Sequence, residues 1–596
     1  MIGAGSMSFK SGNGLLGCKD VGPTSRQQLE DWAHSRQGAS ARHDDSFALW
    51  VFGQPSGGLR RFGIDGLQGW LLGDLFPDEP GSAPIAPEAF LAGSRDTADY
   101  DWIWTLTGQF ALVLCDSQRR EVALFRDGSS AQSLYYHRRR DGGLVFSDRL
   151  DLLVCCPLVP RRLSHDGLHE YLRFLDISSP NTIYDAVYST EPDQLCLHGP
   201  DGLTRFDRPA QAHPPAIPST LDAAGSELDR RLADAVAIRI ADSDSLVAFL
   251  SGGVDSAYLC ALAAEQRPGR LQALTVGFSQ PELDESRIAA DIAQHLGVAH
   301  RVLRFSLADY RRAFDELAEH SEYPFADPAG APSLLAFRRA REFADLALDG
   351  TGADTLLGVM PARHQRIAMQ YAARLPYRLR RTIAAAMTVL PGIRDYRALL
   401  DFGDPEEVLM RWGGWSRREI GALCDRAVRL NQTRFYRIFA AYPRAAHFER
   451  YSALLGNLPD DRIHIAAALT GLRVRFPFFD PTVEACVKGM QPRLRYADGE
   501  HKRVLKHALA QRLPRAVWDR PKHGFDFPFE ALLSDNDNAL VRASLTAENL
   551  RRLGCERTRQ LKQIARDFIN GDRRQRFRVW GLTVLTAWLE RHDLSA

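Results

Sequence analysis

Leu246-Val247-Ala248-Phe249-Leu250 is an unbroken apolar run of strand length, and Ser251-Gly252-Gly253-Val254-Asp255-Ser256 follows it directly. An apolar run without alternation suits a strand buried on both faces. Residues Ala257 to Gln266 then read as a helix, so the Ser-Gly-Gly segment is a turn from strand into helix. Two glycines permit positive φ and close backbone approach. The helix behind them presents free N–H groups and a positive dipole end, which is the geometry of an anion site. The hydroxyls of Ser251 and Ser256 are candidate phosphate donors. Asp255 would repel a bare phosphate, so a cation belongs between them, and Mg2+ fits that need. The segment has no G-x-x-x-x-G-K-[ST] pattern and is not a Walker A loop. A turn that needs Gly-Gly only to be tight is the competing reading.

Working outward, the same alternation continues. Leu221 to Ile240 has helical spacing, with Leu228, Leu232, Val236 and Ile240 on one face. Leu271 to Val276 reads as the next strand and Glu285 to Leu296 as the next helix. Strand and helix in alternation imply a doubly wound parallel sheet, an α/β domain. Residues beyond about 360 read as mainly helical. The basic segment Arg374 to Arg381 reads as a solvated helix face.

The first part of the chain has another character. Phe47 to Phe52, Gln109 to Cys115, Glu121 to Phe125 and Leu144 to Ser147 are short apolar runs separated by turn residues. They predict an antiparallel, β-rich domain. Phe206-Asp207-Arg208-Pro209 through Pro214-Pro215 and Pro218 is proline-rich and lacks apolar periodicity, which marks a linker. The expected organisation is therefore a β-rich domain over residues 1–207, a linker over 208–218 and an α/β domain with a helical end over 219–596.

With 596 residues, two or three domains are expected. Apolar residues make up 45% and charged residues 25%, the balance of a globular protein. The net charge of +1 offers no basic excess for gripping nucleic acid. No run of about eighteen apolar residues suggests a membrane span, and Met1 to Gly17 lacks the pattern of a secretory signal. The nine cysteines are scattered and form no C-x-x-C pair, which argues against a structural zinc site and for a reduced, cytoplasmic setting.

The glycine turn resembles the pyrophosphate loop of ATP pyrophosphatases. Further segments stand in the order found in the asparagine synthetase superfamily. They are Thr275-Val276-Gly277-Phe278 with Leu283-Asp284-Glu285-Ser286, Ala293 to His300, and Glu322 to Pro328. Leu348-Asp349-Gly350-Thr351-Gly352-Ala353-Asp354, Arg475-Phe476-Pro477-Phe478-Phe479-Asp480, His501 to Lys506 and Leu513 to Phe525 complete the set. Leu106 to Leu112 with Asp116, Phe125-Arg126-Asp127, Leu134-Tyr135-Tyr136 and Phe146-Ser147-Asp148 are similar to the back half of a class II glutamine amidotransferase domain, an Ntn-hydrolase-like sandwich. That domain uses an N-terminal cysteine. Here none follows Met1, Cys18 is the first, and the loops that hold glutamine are not recognisable, so the domain looks degenerate.

The resemblance implies an AMP-forming, ATP-dependent carbon–nitrogen ligase with Mg2+. It implies that Asp255 and Asp354 hold Mg2+, and that Leu250, Val276 and Gly277 line the adenine through backbone groups. Ser251, Gly252, Gly253 and Ser256 would cradle phosphates, and Gly350 with Asp349 would lie against the nucleotide. Lys522 aligns with the catalytic lysine of the family, and Lys502 would add a second phosphate contact. Thr351 stands where asparagine synthetases have glutamate and β-lactam synthetases tyrosine, and threonine is a weak base. The residues before Pro477 are also changed, to Leu472-Arg473-Val474-Arg475. An α-amine, with a pKa near 8, needs less help than an amide nitrogen. These departures resemble lasso peptide cyclases, which adenylate an Asp or Glu side chain of a precursor peptide and close a macrolactam with its α-amine. The implied partners are the precursor peptide, a leader-peptide-binding protein and a protease of the same pathway. A β-lactam synthetase-like cyclase, an ammonia-using asparagine synthetase homologue and a non-catalytic nucleotide-binding scaffold remain the alternatives.

Overall fold

In a computed structural model the described residues are 14–36, 39–43, 47–53, 58–64, 67–77, 79–91, 100–209, 219–281, 283–359, 367–368, 371–387, 400, 414–424, 428–441, 461–497, 500–520, 527–555 and 557–596. The proline-rich segment 210–218 and Lys522 lie outside them.

Among the described residues twelve strands form the β-rich half: β1 (Gly14–Lys19), β2 (Ala39–His43), β3 (Phe47–Phe52), β4 (Leu59–Ile64), β5 (Leu67–Leu75), β6 (Gly108–Asp116), β7 (Glu121–Arg126), β8 (Tyr135–Arg138), β9 (Leu144–Ser147), β10 (Val187–Ser189), β11 (Gln194–Gly199) and β12 (Gly202–Asp207). They build two six-stranded sheets, ordered β10-β8-β9-β1-β3-β2 and β12-β11-β7-β6-β5-β4. Alternation along the strands sends one set of side chains into the space between the sheets, where Leu15, Phe47 and Phe146 of one sheet meet Trp70, Val113 and Leu124 of the other. The opposite set from the first sheet, Leu16, Cys18, Trp50 and Val145, packs under helices. The Phe146-Ser147-Asp148 segment clasps the entry to β1. Ser147 Oγ donates to the Leu15 carbonyl at 2.6 Å, and Leu15 N–H donates to Asp148 Oδ1 at 2.7 Å.

The second half contains a five-stranded parallel sheet made of β13 (Leu246–Phe249), β14 (Leu271–Gly277), β15 (Ala299–Arg304), β16 (Leu346–Leu348) and β17 (Arg473–Arg475), in the order β15-β14-β13-β16-β17. Leu246 and Ala248 point into one apolar layer, with the helices Leu221–Ile240 and Val254–Gln266, while Val247 points into the other. Burial on both faces explains the unbroken apolar run. Helix Leu221–Ile240 has the expected bounds, fixed at its start by Thr220 Oγ1 accepting from Ala223 N–H at 3.3 Å. The next helix begins at Val254 rather than Ala257, because Gly253 caps it and Asp255 belongs to its first turn. The Arg374 to Arg381 segment is not wholly solvated. Arg374, Arg378 and Arg381 are exposed, but Arg380 is buried and donates from Nε to the Leu375 carbonyl at 3.1 Å. All nine cysteines are unbridged, and all but Cys155 are buried.

The two halves lock at the edge of the parallel sheet. Arg475, at the end of β17, pairs with Asp74 of β5 at 2.9 Å and takes Asp242 bidentately at 2.6 and 3.0 Å. Gln109 of β6 donates to the Val474 carbonyl (3.1 Å) and accepts from Phe476 N–H (2.9 Å). The guanidiniums of Arg239 and Arg475 both lie over the Phe76 ring, at 4.8 and 5.2 Å. Arg475 is 2% exposed, and Arg475→Met removes the bidentate partner of Asp242 and one partner of Asp74, leaving them Arg473 and Arg60. The loss should be about 2 kcal/mol, the scale for hydrogen bonds to charged groups. A chemical denaturation midpoint equal to that of the wild type would contradict this reading of the interface.

Candidate functional site

The chain first lays down β13, then adds β14 and β15 on one side before crossing to place β16 on the other. The order therefore reverses between β13 and β16, and ligands of open parallel sheets bind outside the strand ends at such a switch point. Both glycine-rich loops leave the sheet there: Ser251–Ser256 after β13 and Asp349–Asp354 after β16.

Gly252 has φ +77°, and a Cβ on it would stand 3.3 Å from Ile288. The positive φ favours glycine at the apex, and the close contact leaves a Cβ little room. Ser256 Oγ accepts from Ser251 N–H at 3.1 Å and donates to the Gly253 carbonyl at 3.1 Å. Its hydroxyl shapes the loop from within, where the sequence suggests a phosphate donor. In the second loop Asp349 is likewise occupied. Its Oδ1 accepts from Thr351 N–H (2.8 Å) and from Thr351 Oγ1 (2.6 Å), which holds the turn. Gly352 has φ +98° and rests against Phe478 and Phe479 of the late aromatic segment. A Cβ on Gly350 would meet Asp255 Cβ at 3.4 Å, so the two loops are in contact.

Lys502 joins them. Its Nζ is 2.6 Å from Asp255 Oδ2 and 2.5 Å from Asp354 Oδ1. The residue is 5% exposed. Burial alone would lower its pKa, but the carboxylates of Asp255 and then Asp354 outweigh burial and carry it up to about 12. Lys502 adopts φ +55°, ψ +32° at the start of the helix Arg503–Ala510. A non-glycine residue in the left-handed region costs roughly 1–2 kcal/mol, and such outliers gather at functional sites.

The two carboxylates therefore converge on one cationic point, and Asp255 Oδ1 is buried with no hydrogen-bond partner among the described residues. Among the described residues no group of three or more His, Cys, Asp or Glu could hold a metal by itself. Two carboxylates with an open coordination site suit Mg2+ carried in with nucleotide phosphates. Leu250 and Val276–Gly277 stand side by side at the ends of β13 and β14. The Leu250 carbonyl accepts from Thr275 Oγ1 at 2.6 Å, and that oxygen is 2.8 Å from His300 Nε2. Thr275 has one proton, so Nε2 of a neutral His300 donates to it, and burial holds the pKa of His300 down. This Thr275–His300 support is missed from sequence because 25 residues separate the partners. The structure thus brings together Leu250–Ser256, Val276–Gly277, Asp349–Asp354 and Lys502, while Lys522 lies outside the described residues.

Residues 227–590, more than half of the chain, match the asparagine synthase family. The chain belongs to that family. Residues 95–205 match the glutamine amidotransferase domain. A putative glutamine-hydrolyzing asparagine synthetase of Mycobacterium tuberculosis (strain ATCC 25618 / H37Rv) is 28% identical over 463 residues, covering 74% of this chain and 70% of its own length. Glutamine-hydrolyzing asparagine synthetase 1 of Bacillus subtilis (strain 168) is 24% identical over 450 residues, covering 73% and 70%. The family consists of ATP-dependent, AMP-forming carbon–nitrogen ligases, and ATP-dependent amidation is the activity class of this chain. Among the described residues no helix is long and apolar enough to cross a membrane.

Asp255→Ala should weaken Mg2+-dependent ATP binding at least ~10-fold by calorimetry, as loss of one metal-bound carboxylate would. Binding as tight as wild type, with the same Mg2+ dependence, would exclude Asp255 from the metal site.

Proposed function

We propose that this protein adenylates an Asp or Glu side-chain carboxylate of a precursor peptide and joins it to the peptide's own α-amine, closing a macrolactam as lasso peptide cyclases do. The observation that carries this reading is the state of Cys18. It lies inside β1, paired with β3 on one side and β9 on the other, and burial pushes its thiol up to about 12. A thiol so placed does not act as a glutaminase nucleophile. The amine then comes from the substrate, and the Thr351 hydroxyl, tied to Asp349, is no general base for it. An α-amine is partly neutral at pH 7 and attacks without one.

In this reading a carboxylate oxygen attacks the α-phosphorus of ATP, and the bond to pyrophosphate breaks. The amine then attacks the acyl carbon, loses a proton and expels AMP. Leu250, Val276 and Gly277 place the adenine, and Ser251, Gly252 and Gly253 with the helix N-terminus at Val254 receive phosphates. Ser256 keeps that loop in shape and Gly350 backs it. Asp255 and Asp354 would hold Mg2+, which when bound offsets charge on the departing pyrophosphate. Lys502 supplies a fixed positive charge beside the same group, and Lys522 would balance the α-phosphate and then the acyl oxyanion. The pathway partners are the precursor peptide, a leader-peptide-binding protein and a protease.

An ammonia-using asparagine synthetase is the second reading; the relatives are named asparagine synthetases, of the glutamine-hydrolyzing kind, and support it equally. The two separate by product. With synthetic precursor and its protease, the peptide reading gives a product lighter by one water and resistant to exopeptidase. Formation of asparagine from aspartate and ammonium, with the peptide untouched, favours the second. In the peptide assay Lys522→Ala should stay folded, bind ATP and turn over at least ~10²-fold more slowly, the scale for losing one preorganised charge. Cyclisation at near wild-type rate would make Lys522 a surface residue.

A further inference from the structure

Between the two halves of the chain lies a cavity of about 420 Å³. Its walls include the Arg126–Ser133 turn of the β-rich half and Thr355, Leu356 and Phe479 of the other. Thr355 and Leu356 follow Asp354 in the short helix Ala353–Leu357, so one wall of the cavity is the helix behind the second glycine-rich loop. The phosphate loop and Lys502 do not line it.

Three nitrogen-rich side chains meet at this cavity from three elements. Arg126 ends β7, Arg434 opens the helix Arg434–Ala441, and His464 stands in the helix Asp461–Thr470. Arg126 is 6% exposed, and its partners include two neutral hydroxyls, Ser179 Oγ at 3.2 Å and Ser133 Oγ at 3.5 Å. Burial first, and then the charge of Arg126, push Arg434 down to about 10 and His464 down to about 4. His464 Nε2 is buried with no hydrogen-bond partner among the described residues. Two guanidiniums that line one cavity beside a neutral imidazole form an anion-seeking arrangement. Asp193 and Glu484 also line the cavity, each paired with a cation of the same lining, Arg208 at 3.5 Å and Lys488. The planar fork of a guanidinium matches the two oxygens of a carboxylate.

We propose that this cavity binds a carboxylate of the acyl substrate remote from the one that is activated, with Arg126 and Arg434 pairing with it. The proposal rests on the peptide reading above for its biological ligand, which is then the C-terminal carboxylate of the peptide. The substrate carries two carboxylates with separate tasks: one reaches the glycine loops, and the other is anchored between the domains.

Two measurements on the full chain test this. In carboxylate-dependent pyrophosphate exchange, the precursor peptide as free acid should show a KM at least ~10-fold below that of its C-terminal amide, and Arg126→Gln should bring the ratio towards one. Arg434→Gln serves the same purpose should the buried Arg126 variant fail to fold. Equal KM values for acid and amide in the wild type, or a ratio that survives both substitutions, would overturn the proposal. The second measurement needs no turnover. Saturation-transfer NMR should detect N-acetylglycine but not N-acetylglycinamide, with the signal lost in Arg434→Gln. Displacement by inorganic pyrophosphate at lower concentration than by a second carboxylate would also overturn it, by assigning the cavity to a product anion. An N-acetylglycine signal that depends on Arg434, without exchange on either peptide, would uphold the carboxylate site while refuting the peptide reading.

Discussion

One buried ammonium joins the parts of the site. Lys502 lies between Asp255 and Asp354, carboxylates that belong to loops after different strands. Without a cation the two would repel across a contact already as close as Gly350 and Asp255 Cβ. The strained backbone at Lys502 follows from this demand, because the side chain must enter from the start of its own helix. A metal ion arriving with nucleotide would take over part of the same charge balance, so the loops are preorganised before ATP binds.

The frame that holds these loops is shared between the two halves of the chain. Arg475 ends the edge strand of the parallel sheet and reaches the β-rich half, Phe476 is held by Gln109, and Phe478 and Phe479 support Gly352. Asp480 caps the following helix through Thr482 N–H at 2.9 Å and pairs with the buried Arg239 at 2.8 Å. One short aromatic segment thus ties domain docking to the shape of the second glycine loop. A β-rich domain whose Cys18 is sealed inside a strand still has this structural task.

Much of the fold was legible because its elements are long or plainly patterned. Helix Leu221–Ile240 carries twenty residues of regular spacing and a threonine cap, and β13 is an apolar run stopped by glycines. β17 was not legible, since three residues, Arg473–Arg475, give no period, and two of them are arginines used for ion pairs. β1 was hidden by its glycines, which make room for Phe146 at Gly17 rather than marking a turn. At the site, the glycine loops could be placed from their order along the chain. The bridge by Lys502 could not, because 247 residues separate it from Asp255. Nor could the inward use of Ser256 and Asp349, since a hydroxyl or carboxylate beside glycines looks the same whether it faces a ligand or its own backbone.

The central claim is that these loops activate a carboxylate by adenylation. Exchange of labelled pyrophosphate into ATP by the purified protein tests it most directly. Exchange should depend on a carboxylate substrate and on Mg2+, with AMP as the nucleotide product of the full reaction. Formation of ADP and phosphate, with no pyrophosphate exchange, would contradict it.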